Sequence, residues 1–362
     1  MAEGNQIRFG IMGCANIARK LARAINLAPN ATLYAIASRS LEKAEAFATK
    51  NELPKTIRIY GSYEEFLDDP LIDAVYMPLP SSLHLHWAVL AAKKRKHLLV
   101  EKPPALDVVE LDQILEACES NGVQFMDGTM WLHHPRTAKI KELLSHPKLI
   151  GGIEFLHSTS TMSPPAEFFQ NDIRVKPDMD PLGALGDLGW YCIGSILWAK
   201  NYKLPNIVTD LPDVTKNSDG VILSFSASLH YEEEQEKTVS TIHCSFLSYS
   251  SMDLRIVGSN GSIHLMDFIM PFQEDSAFFN FTFRAKFVDL HIGWNVKPEK
   301  IVVANGMPQE ATMVQEFARI VSDIRNFGAF PDTKWPEISR KTQVVLDAVK
   351  KSIDLGCKPV YL

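Results

Sequence analysis

Cysteine is scarce in this sequence, and the few cysteines are far apart. The 362 residues include five, and no two of them form a Cys-x-x-Cys pair. Zinc sites and disulfide frameworks both need ligands or cysteines at characteristic spacings, so we expect neither a metal site nor disulfide bonds. Separate, reduced thiols are typical of cytoplasmic proteins, and we expect this protein there. The cysteines are Cys14, Cys118, Cys192, Cys244 and Cys357.

Long apolar runs and an excess of positive charge are also missing. The longest apolar stretch, Trp190–Ala199, is interrupted by Gly194 and Ser195, whereas a helix that crosses a bilayer needs about 20 mostly apolar residues. The 37 basic and 43 acidic residues give a net charge of −6, which argues against the basic surface that binds nucleic acid. We therefore expect a small-molecule partner, and neither a membrane nor a nucleic acid.

The first third of the chain alternates short apolar segments with segments of helical periodicity. Each apolar segment is typical of a buried strand, and the segments between them repeat apolar residues at helical spacing. Such alternation indicates βαβ units and a parallel, doubly wound sheet of the Rossmann type, which we assign to residues 1–130. The predicted strands are Ile7–Met12, Thr32–Ala37, Ile57–Tyr60, Ala74–Met77, His97–Val100 and Val123–Met126.

Beyond residue 130 the pattern changes to strands in which apolar and polar residues alternate. This predicts a second, α+β domain at residues 131–362, with a largely antiparallel open sheet that helices cover on one face. We expect the covered face to carry Leu223, Phe225 and Leu229. The other face should carry Ser224, Ser226, Ser228, Ser240 and His243.

Two turns in the first domain are typical of a dinucleotide site. Gly13-Cys14-Ala15-Asn16-Ile17-Ala18 follows the first strand with G-x-G-x-x-A spacing, although Ala15 replaces the second glycine. Such a turn brings a helix N-terminus against a pyrophosphate. Ser38-Arg39-Ser40 ends the second strand without the acid that binds the ribose of NAD, and Arg39 suits a 2′-phosphate. We expect NADP(H) in preference to NAD(H), bound by Gly13, Ala15, Asn16, Ile17, Ser38 and Arg39; alternatively, Arg39 is an ordinary surface arginine.

Further motifs carry a family resemblance. Glu101-Lys102-Pro103 follows the fifth strand, at the sheet edge where doubly wound folds bind their ligands. With Pro80-Ser81-Ser82-Leu83-His84, His134-Pro135 and Gly183-Ala184-Leu185-Gly186-Asp187-Leu188-Gly189-Trp190-Tyr191, it resembles the Gfo/Idh/MocA oxidoreductase family over essentially the whole chain. With tyrosine at position 191, the sequence resembles the branch of the family that includes glucose–fructose oxidoreductase, xylose dehydrogenase and trans-dihydrodiol dehydrogenase. Ala15 and Ser81 depart from the family's pattern, which bears on cofactor affinity.

The resemblance implies roles at the matching positions. Lys102 would touch the nicotinamide ribose and the reacting oxygen, while Asp187 and Tyr191 would face the substrate. Those two residues are four apart, which independently places them on one helix face. The other residues implied at the cofactor are Pro80, Ser81, His84 and Glu101, and the candidates for lining the substrate are Trp131, His134, Arg174 and Trp190.

The chemistry of hydride transfer needs one proton to be handled by the protein. We expect Tyr191 to transfer that proton, Lys102 to polarise the reacting oxygen and Asp187 to orient a substrate hydroxyl. The three should converge on one cleft between the domains. In the alternative, Tyr191 is a core tyrosine that only packs.

Together these features predict an NADP-dependent oxidoreductase for a sugar, polyol or cyclic diol. Two alternatives remain: a non-catalytic NADP-binding sensor, and a reductase of a non-sugar carbonyl or imine. Lys102 with Tyr191 favours an enzyme, since a sensor needs no proton transfer. The resemblance implies association through the second domain's sheet, and the predicted strand Phe279–Asp289, with Phe279, Phe281, Phe283 and Phe287, indicates apolar surface there. We therefore expect a homodimer.

Overall fold

The computed structural model describes residues 6–232, 237–289 and 293–362. Every strand predicted in the first third is present, with bounds that differ by at most two residues. The elements there are β1 (Ile7–Met12), α1 (Asn16–Leu27), β2 (Ala31–Ala37), α2 (Leu41–Lys50), β3 (Arg58–Tyr60), α3 (Tyr63–Asp68), β4 (Ala74–Met77), α4 (His84–Lys93), β5 (His97–Val100), α5 (Val108–Ser120) and β6 (Phe125–Asp127).

The rest of the chain is rich in strands and ends in two long helices. Its elements are α6 (Pro135–Leu144), β7 (Ile153–Thr161), α7 (Ala166–Asn171), α8 (Trp190–Ala199), β8 (Ile207–Asp210), β9 (Thr215–Lys216), β10 (Ile222–Glu232), β11 (Lys237–Ser245), β12 (Ser251–Gly258), β13 (Gly261–Leu265), β14 (Ser276–Phe283), β15 (Phe287–Asp289), β16 (Gly293–Trp294), β17 (Glu299–Ala304), α9 (Gln309–Phe327), α10 (Lys334–Asp354) and β18 (Val360–Tyr361). None of the helices in the described ranges is both long and apolar enough to cross a membrane.

The chain divides into two compact units. The first comprises Met1–Met130 with Met307–Arg340, and the second comprises Trp131–Gly306 with Lys341–Leu362. The predicted division at residue 130 assigned 307–340 to the second domain, and the observed packing differs there. Helix α9 packs on α1 and β1, with the rings of Phe9 and Phe317 5.9 Å apart. Such a long-range contact leaves no mark in the local sequence pattern.

The first unit contains a six-stranded sheet in the order β3-β2-β1-β4-β5-β6, and all its strand pairs are parallel. The predicted Rossmann-type sheet is therefore confirmed. Strands β1 and β4 are almost wholly buried, as expected for strands covered on both faces. Because parallel strands end at one edge, the segments after β1, β2, β4 and β5 all lie along that edge, where such folds bind ligands.

The second unit contains a mixed sheet in the order β17-β14-β13-β12-β7-β11-β10-β8-β18, with β9 also paired to β10. Its pairs are antiparallel except β7 with β11, which confirms the predicted largely antiparallel sheet. Helix α8 packs on β7 and β11, and all ten of its residues are buried. The sheet therefore carries a central buried helix on one face.

The register of this sheet corrects part of the prediction about its faces. Leu223, Phe225 and Leu229 are buried, as predicted, and Ser226, Ser228 and His243 are half-buried on the other side. Ser240 is fully buried, so its predicted exposure was wrong: it pairs directly with Leu229, and directly opposed residues share one face. Ser224 is also buried, since residues 222–225 at the start of β10 are covered on both sides.

The single strand predicted over Phe279–Asp289 is in fact two. Strand β14 ends at Phe283 and a short hairpin of β15 and β16 follows. Arg284, at the break, has a left-handed backbone with φ of 51°, which interrupts a strand. Phe279 is buried, but Phe287 is 61% exposed and stacks on Trp294 with ring centres 4.2 Å apart.

Candidate active site

The turn after β1 depends on glycine at position 13. Gly13 has φ of +125°, a conformation that other residues rarely adopt. A Cβ there would lie 3.0 Å from Leu79 Cδ2 and 3.3 Å from the carbonyl oxygen of Pro78. Any other residue would strain this turn, which agrees with its match to the dinucleotide-binding pattern.

The helix that follows this turn begins without a side-chain cap. Ala15 occupies the N-cap of α1, makes no capping hydrogen bond, and no acidic residue lies in the first turn. The first N–H groups of a helix have no partner within the helix, and they favour an anion. An uncapped N-terminus next to Gly13 thus fits the pyrophosphate of a dinucleotide, with Asn16 and Ile17 in the first turn.

The turn after β2 presents one arginine to solvent. Ser38 is buried and its N–H donates to the carbonyl of Tyr60 at 3.1 Å, whereas Arg39 is exposed. Ser40 Oγ caps α2 by accepting from the N–H of Lys43 at 3.3 Å. Burial raises the pKa of Tyr63, while the nearby charge of Arg39 lowers it. Arg39 thus lies near Tyr63 at the edge of the sheet.

The turn after β4 is tied to the turn after β5 by His84. Pro80 precedes a short 3₁₀ turn that contains the buried Ser81, and His84 is the first residue of α4. The imidazole is 1% exposed, with Nε2 3.0 Å from the carbonyl oxygen of Leu79 and Nδ1 3.1 Å from that of Pro103. Burial lowers the pKa of His84 to about 4, although these carbonyl oxygens oppose the shift.

The segment after β5 carries Lys102, which is half-buried, between a buried Glu101 and a cis peptide bond to Pro103. Tyr76 Oη donates to Glu101 Oε1 at 2.5 Å, and the N–H of Lys102 donates to Glu101 Oε2 at 3.3 Å. Burial raises the pKa of Glu101, and Tyr76 opposes this. Tyr76 was missed from the sequence; its signal is a hydroxyl inside an otherwise apolar, fully buried strand, which must find a partner.

In the second unit, Asp187 lies in a π-helical turn. That turn spans Leu185–Gly189 and leads directly into α8, whose second residue is Tyr191. The sequence predicted an ordinary helix here; π-helical turns are rare and often occur at functional sites. Tyr191 is 8% exposed.

Arg174 holds the carboxylate of Asp187. Its Nη1 lies 3.3 Å from Asp187 Oδ2, and its Nε lies 3.1 Å from Asp172 Oδ1. Burial acts to lower the pKa of Arg174, but the two carboxylates outweigh it and the pKa is raised. Arg174, predicted from sequence to line the substrate site, therefore contacts a predicted site residue.

The other candidates for the substrate site are buried. Trp190 and Trp131 are each 2% exposed, and Trp131 packs edge-to-face on Trp198 with ring centres 5.5 Å apart. His134 Nδ1 accepts from the N–H of Arg136 at 2.9 Å and caps α6. A neutral His134 ring then carries its proton on Nε2, a buried atom with no hydrogen-bond partner among the described residues. No group of three or more metal-binding side chains occurs within the described ranges.

A glycine turn followed by an uncapped helix at one edge of a parallel sheet is typical of a dinucleotide-binding fold. Residues 7–129 match the NAD-binding Rossmann domain of the GFO/IDH/MocA oxidoreductase family, and residues 137–264 match a C-terminal domain of the same family. The chain belongs to this family, as its motifs predicted, and its first unit contains the family's NAD-binding Rossmann domain.

Individual relatives are similar over part or all of the chain. A D-xylose 1-dehydrogenase (NADP⁺) from Haloferax volcanii is 35% identical over 52% of this chain and 55% of its own length. A trans-1,2-dihydrobenzene-1,2-diol dehydrogenase from Xenopus tropicalis is 28% identical over 65% of this chain and 68% of its own. The chain spans 55 to 61% of the length of the first curated relatives it matches.

One solved structure shares the fold almost throughout. It is a 3-ketoreductase from Actinomadura kijaniata, solved with NADP and TDP-benzene, at 24% identity and a TM-score of 0.79 over 96% of this chain and 98% of that one.

Proposed function

We propose that this protein is an NADP(H)-dependent oxidoreductase that transfers a hydride between the cofactor and a sugar, polyol or cyclic diol. The observation that carries this proposal is the setting of Lys102, which follows β5 at the ligand-binding edge and is flanked by side chains that hold its backbone. The named activities of the xylose and dihydrodiol dehydrogenases support the substrate class.

The preference for NADP(H) is supported by the turn after β2. Arg39 is exposed there, and residues 38–40 include no carboxylate that would repel a 2′-phosphate. A guanidinium can bind a phosphate through two parallel hydrogen bonds. The 2′-hydroxyl of NAD cannot be bound in this way, so Arg39 favours NADP.

Proton transfer is the part of the reaction that the protein must supply, since the bound nicotinamide would give or accept the hydride. In the proposal Lys102 polarises the reacting oxygen, Tyr191 donates the proton in reduction and removes it in oxidation, and Asp187 orients a substrate hydroxyl. Arg174 holds the Asp187 side chain in place through the contact between Nη1 and Oδ2. His134, with its Nε2 proton, and the indoles of Trp131 and Trp190 are proposed to line the substrate.

The test of this function is absorbance at 340 nm, with NADP⁺ for the oxidation of sugars, polyols and cyclic diols and with NADPH for the reduction of sugar and non-sugar carbonyls or imines. Turnover of a sugar or diol is expected. Binding of NADPH without turnover of any substrate would favour a non-catalytic NADP-binding sensor. Turnover of the non-sugar compounds alone would favour a reductase of a non-sugar carbonyl or imine.

Tyr191→Phe tests the assignment of the proton donor. We expect kcat to fall by about 10²–10⁴, which is typical when a general acid is lost. The matched control is Tyr249→Phe. Tyr249 is 90% exposed, so this substitution removes the same hydroxyl group at the surface. Wild-type turnover by Tyr191→Phe would make Tyr191 a packing residue.

We also propose that the protein is a cytoplasmic homodimer that associates through the half-buried face of the second unit's sheet. Five free thiols support the location. On that face Ser226 bonds His243 at 2.9 Å, and Val239 and Met266 are 38% and 41% exposed. Light scattering should give at least twice the chain mass of 40.6 kDa; a monomer at micromolar concentration would refute the dimer.

A further inference from the structure

His84 is a buried histidine whose two ring nitrogens contact two different turns. Nε2 faces the carbonyl of Leu79, in the turn after β4, and Nδ1 faces the carbonyl of Pro103, in the turn after β5. With 1% exposure the ring is sealed from water. A single imidazole therefore joins a turn predicted to touch the cofactor to the turn that carries Lys102.

The hydrogen-bonding partners of this ring are backbone carbonyls. The carbonyls of Leu79, Pro103 and Pro104 all oppose the lowering of the His84 pKa by burial. A neutral imidazole has one N–H, so at neutral pH it donates to one of these carbonyls at a time. Removing the ring would leave carbonyl oxygens in a dry site without that donor, which costs stability and order.

The two sides of Lys102 are held by different groups. On its amino side the N–H of Lys102 donates to Glu101, whose carboxyl also accepts from Tyr76. On its carboxyl side the carbonyl of Pro103 lies next to His84. The backbone around Lys102 is thus held from both directions.

We propose that His84 is a positioning residue for Lys102, which acts by holding the carbonyl of Pro103 and not by contacting the cofactor. The proposal rests on the function proposed above, in which Lys102 polarises the reacting oxygen. A misplacement of about 1 Å in a catalytic group can cost on the order of 100-fold in rate. Loss of the contact between His84 and Pro103 can therefore lower kcat measurably.

Two amide variants separate the two contacts of the ring. In His84→Asn the amide nitrogen can take the place of Nδ1, near Pro103, while in His84→Gln it can take the place of Nε2, near Leu79. We expect His84→Ala to lower kcat by about 10- to 100-fold while the KM and Kd for NADPH stay within about threefold. Relative to His84→Ala, the His84→Asn variant should recover most of kcat, and the His84→Gln variant should not.

The opposite results would overturn the proposal. If Gln restores kcat and Asn does not, the important contact is the one to Leu79. If His84→Ala instead weakens NADPH binding and leaves kcat unchanged, the ring serves the cofactor.

His97 provides a control for general loss of stability. It begins β5 and its Nδ1 accepts from the N–H of Gln124 at 2.9 Å. Burial lowers its pKa to about 4, as it does for His84. His97→Asn should lower the melting temperature without changing kcat. An equal loss of kcat in His97→Asn and His84→Ala would show that His84 acts through stability alone.

A second readout does not depend on turnover. Lysines can be labelled by reductive ¹³C-methylation, and the signal of Lys102 is the one that disappears in Lys102→Met. In His84→Ala this signal should shift, and in His84→Asn it should return towards its wild-type position. An unmoved signal in His84→Ala would overturn the proposal, whereas failure of every substrate in the panel would count against the proposed function only.

Discussion

The turns after β1 and β5 lie at one edge of the same sheet, yet they are held in opposite ways. The turn after β1 has its shape from Gly13 and leads into a helix that no side chain caps. The turn after β5 is fixed by side chains from other elements, Tyr76 through Glu101 on one side and His84 on the other.

The difference separates two tasks. Donors that the chain leaves uncapped are available to a ligand, which is what a phosphate-binding turn needs. Side chains that bond the backbone instead fix a residue of the protein itself, which is what a reacting group needs. The first turn should therefore control cofactor affinity, and the second should control rate.

Gly13→Ala should weaken the binding of the cofactor. The positive φ and the approach of Leu79 to 3.0 Å make an alanine strained, at a cost of about 1–3 kcal/mol. We expect NADPH to bind about 10- to 100-fold more weakly. Gly122→Ala is the control, because Gly122 also has positive φ but has nothing within 4 Å of an added Cβ. Unchanged affinity in Gly13→Ala would remove the cofactor from this turn.

Arg39→Ala should change which cofactor is preferred. Loss of a charge-assisted contact costs about 1.5–3 kcal/mol, so NADP should lose about ten- to a hundredfold in affinity while NAD changes little. The control is Lys50→Ala, which removes a positive charge at the far end of α2, the helix that follows Arg39. Equal affinities of the wild type for NADP and NAD, by calorimetric titration, would contradict the assignment of Arg39.

Tyr76→Phe should have the smallest effect on cofactor affinity; its effect is on the stability of the fold, and it depends on pH. Burial already raises the pKa of Glu101, and losing the hydroxyl raises it further. A carboxyl with a raised pKa stabilises the fold at acid pH, and this contribution is lost as pH rises through the folded-state pKa. Tyr76→Phe should therefore cost about 1–3 kcal/mol of unfolding free energy at neutral pH and less at acid pH.

Urea unfolding at a series of pH values measures this difference. Tyr361→Phe is the control, since Tyr361 is 75% exposed. A cost that is the same at every pH would mean that Tyr76 stabilises the fold without acting on Glu101.

The two turns also differ in how far the sequence predicts them. Glycine spacing after a strand is a local pattern, so Gly13 and the parallel sheet could be predicted from neighbouring residues. The contacts of Tyr76 with Glu101 and of His84 with Pro103 join residues 25 and 19 positions apart. They depend on which strand ends are adjacent, and no local pattern records that.

The second unit shows the same limit. Alternation predicted that Phe225 and Leu229 are buried, because period two follows from strand geometry alone. It could not place Ser240, whose face depends on the pairing register with Leu229. Nor could it predict the π-helical turn at Asp187, since its spacing to Tyr191 also suits an ordinary helix.

The most direct test is Lys102→Met, measured for NADPH binding and for turnover of the best substrate in the panel. The division of tasks between the two turns predicts that the Kd for NADPH stays within about threefold of wild type while kcat falls on the order of 10³-fold. Turnover at the wild-type rate would contradict this division, and so would a variant that loses both NADPH binding and turnover.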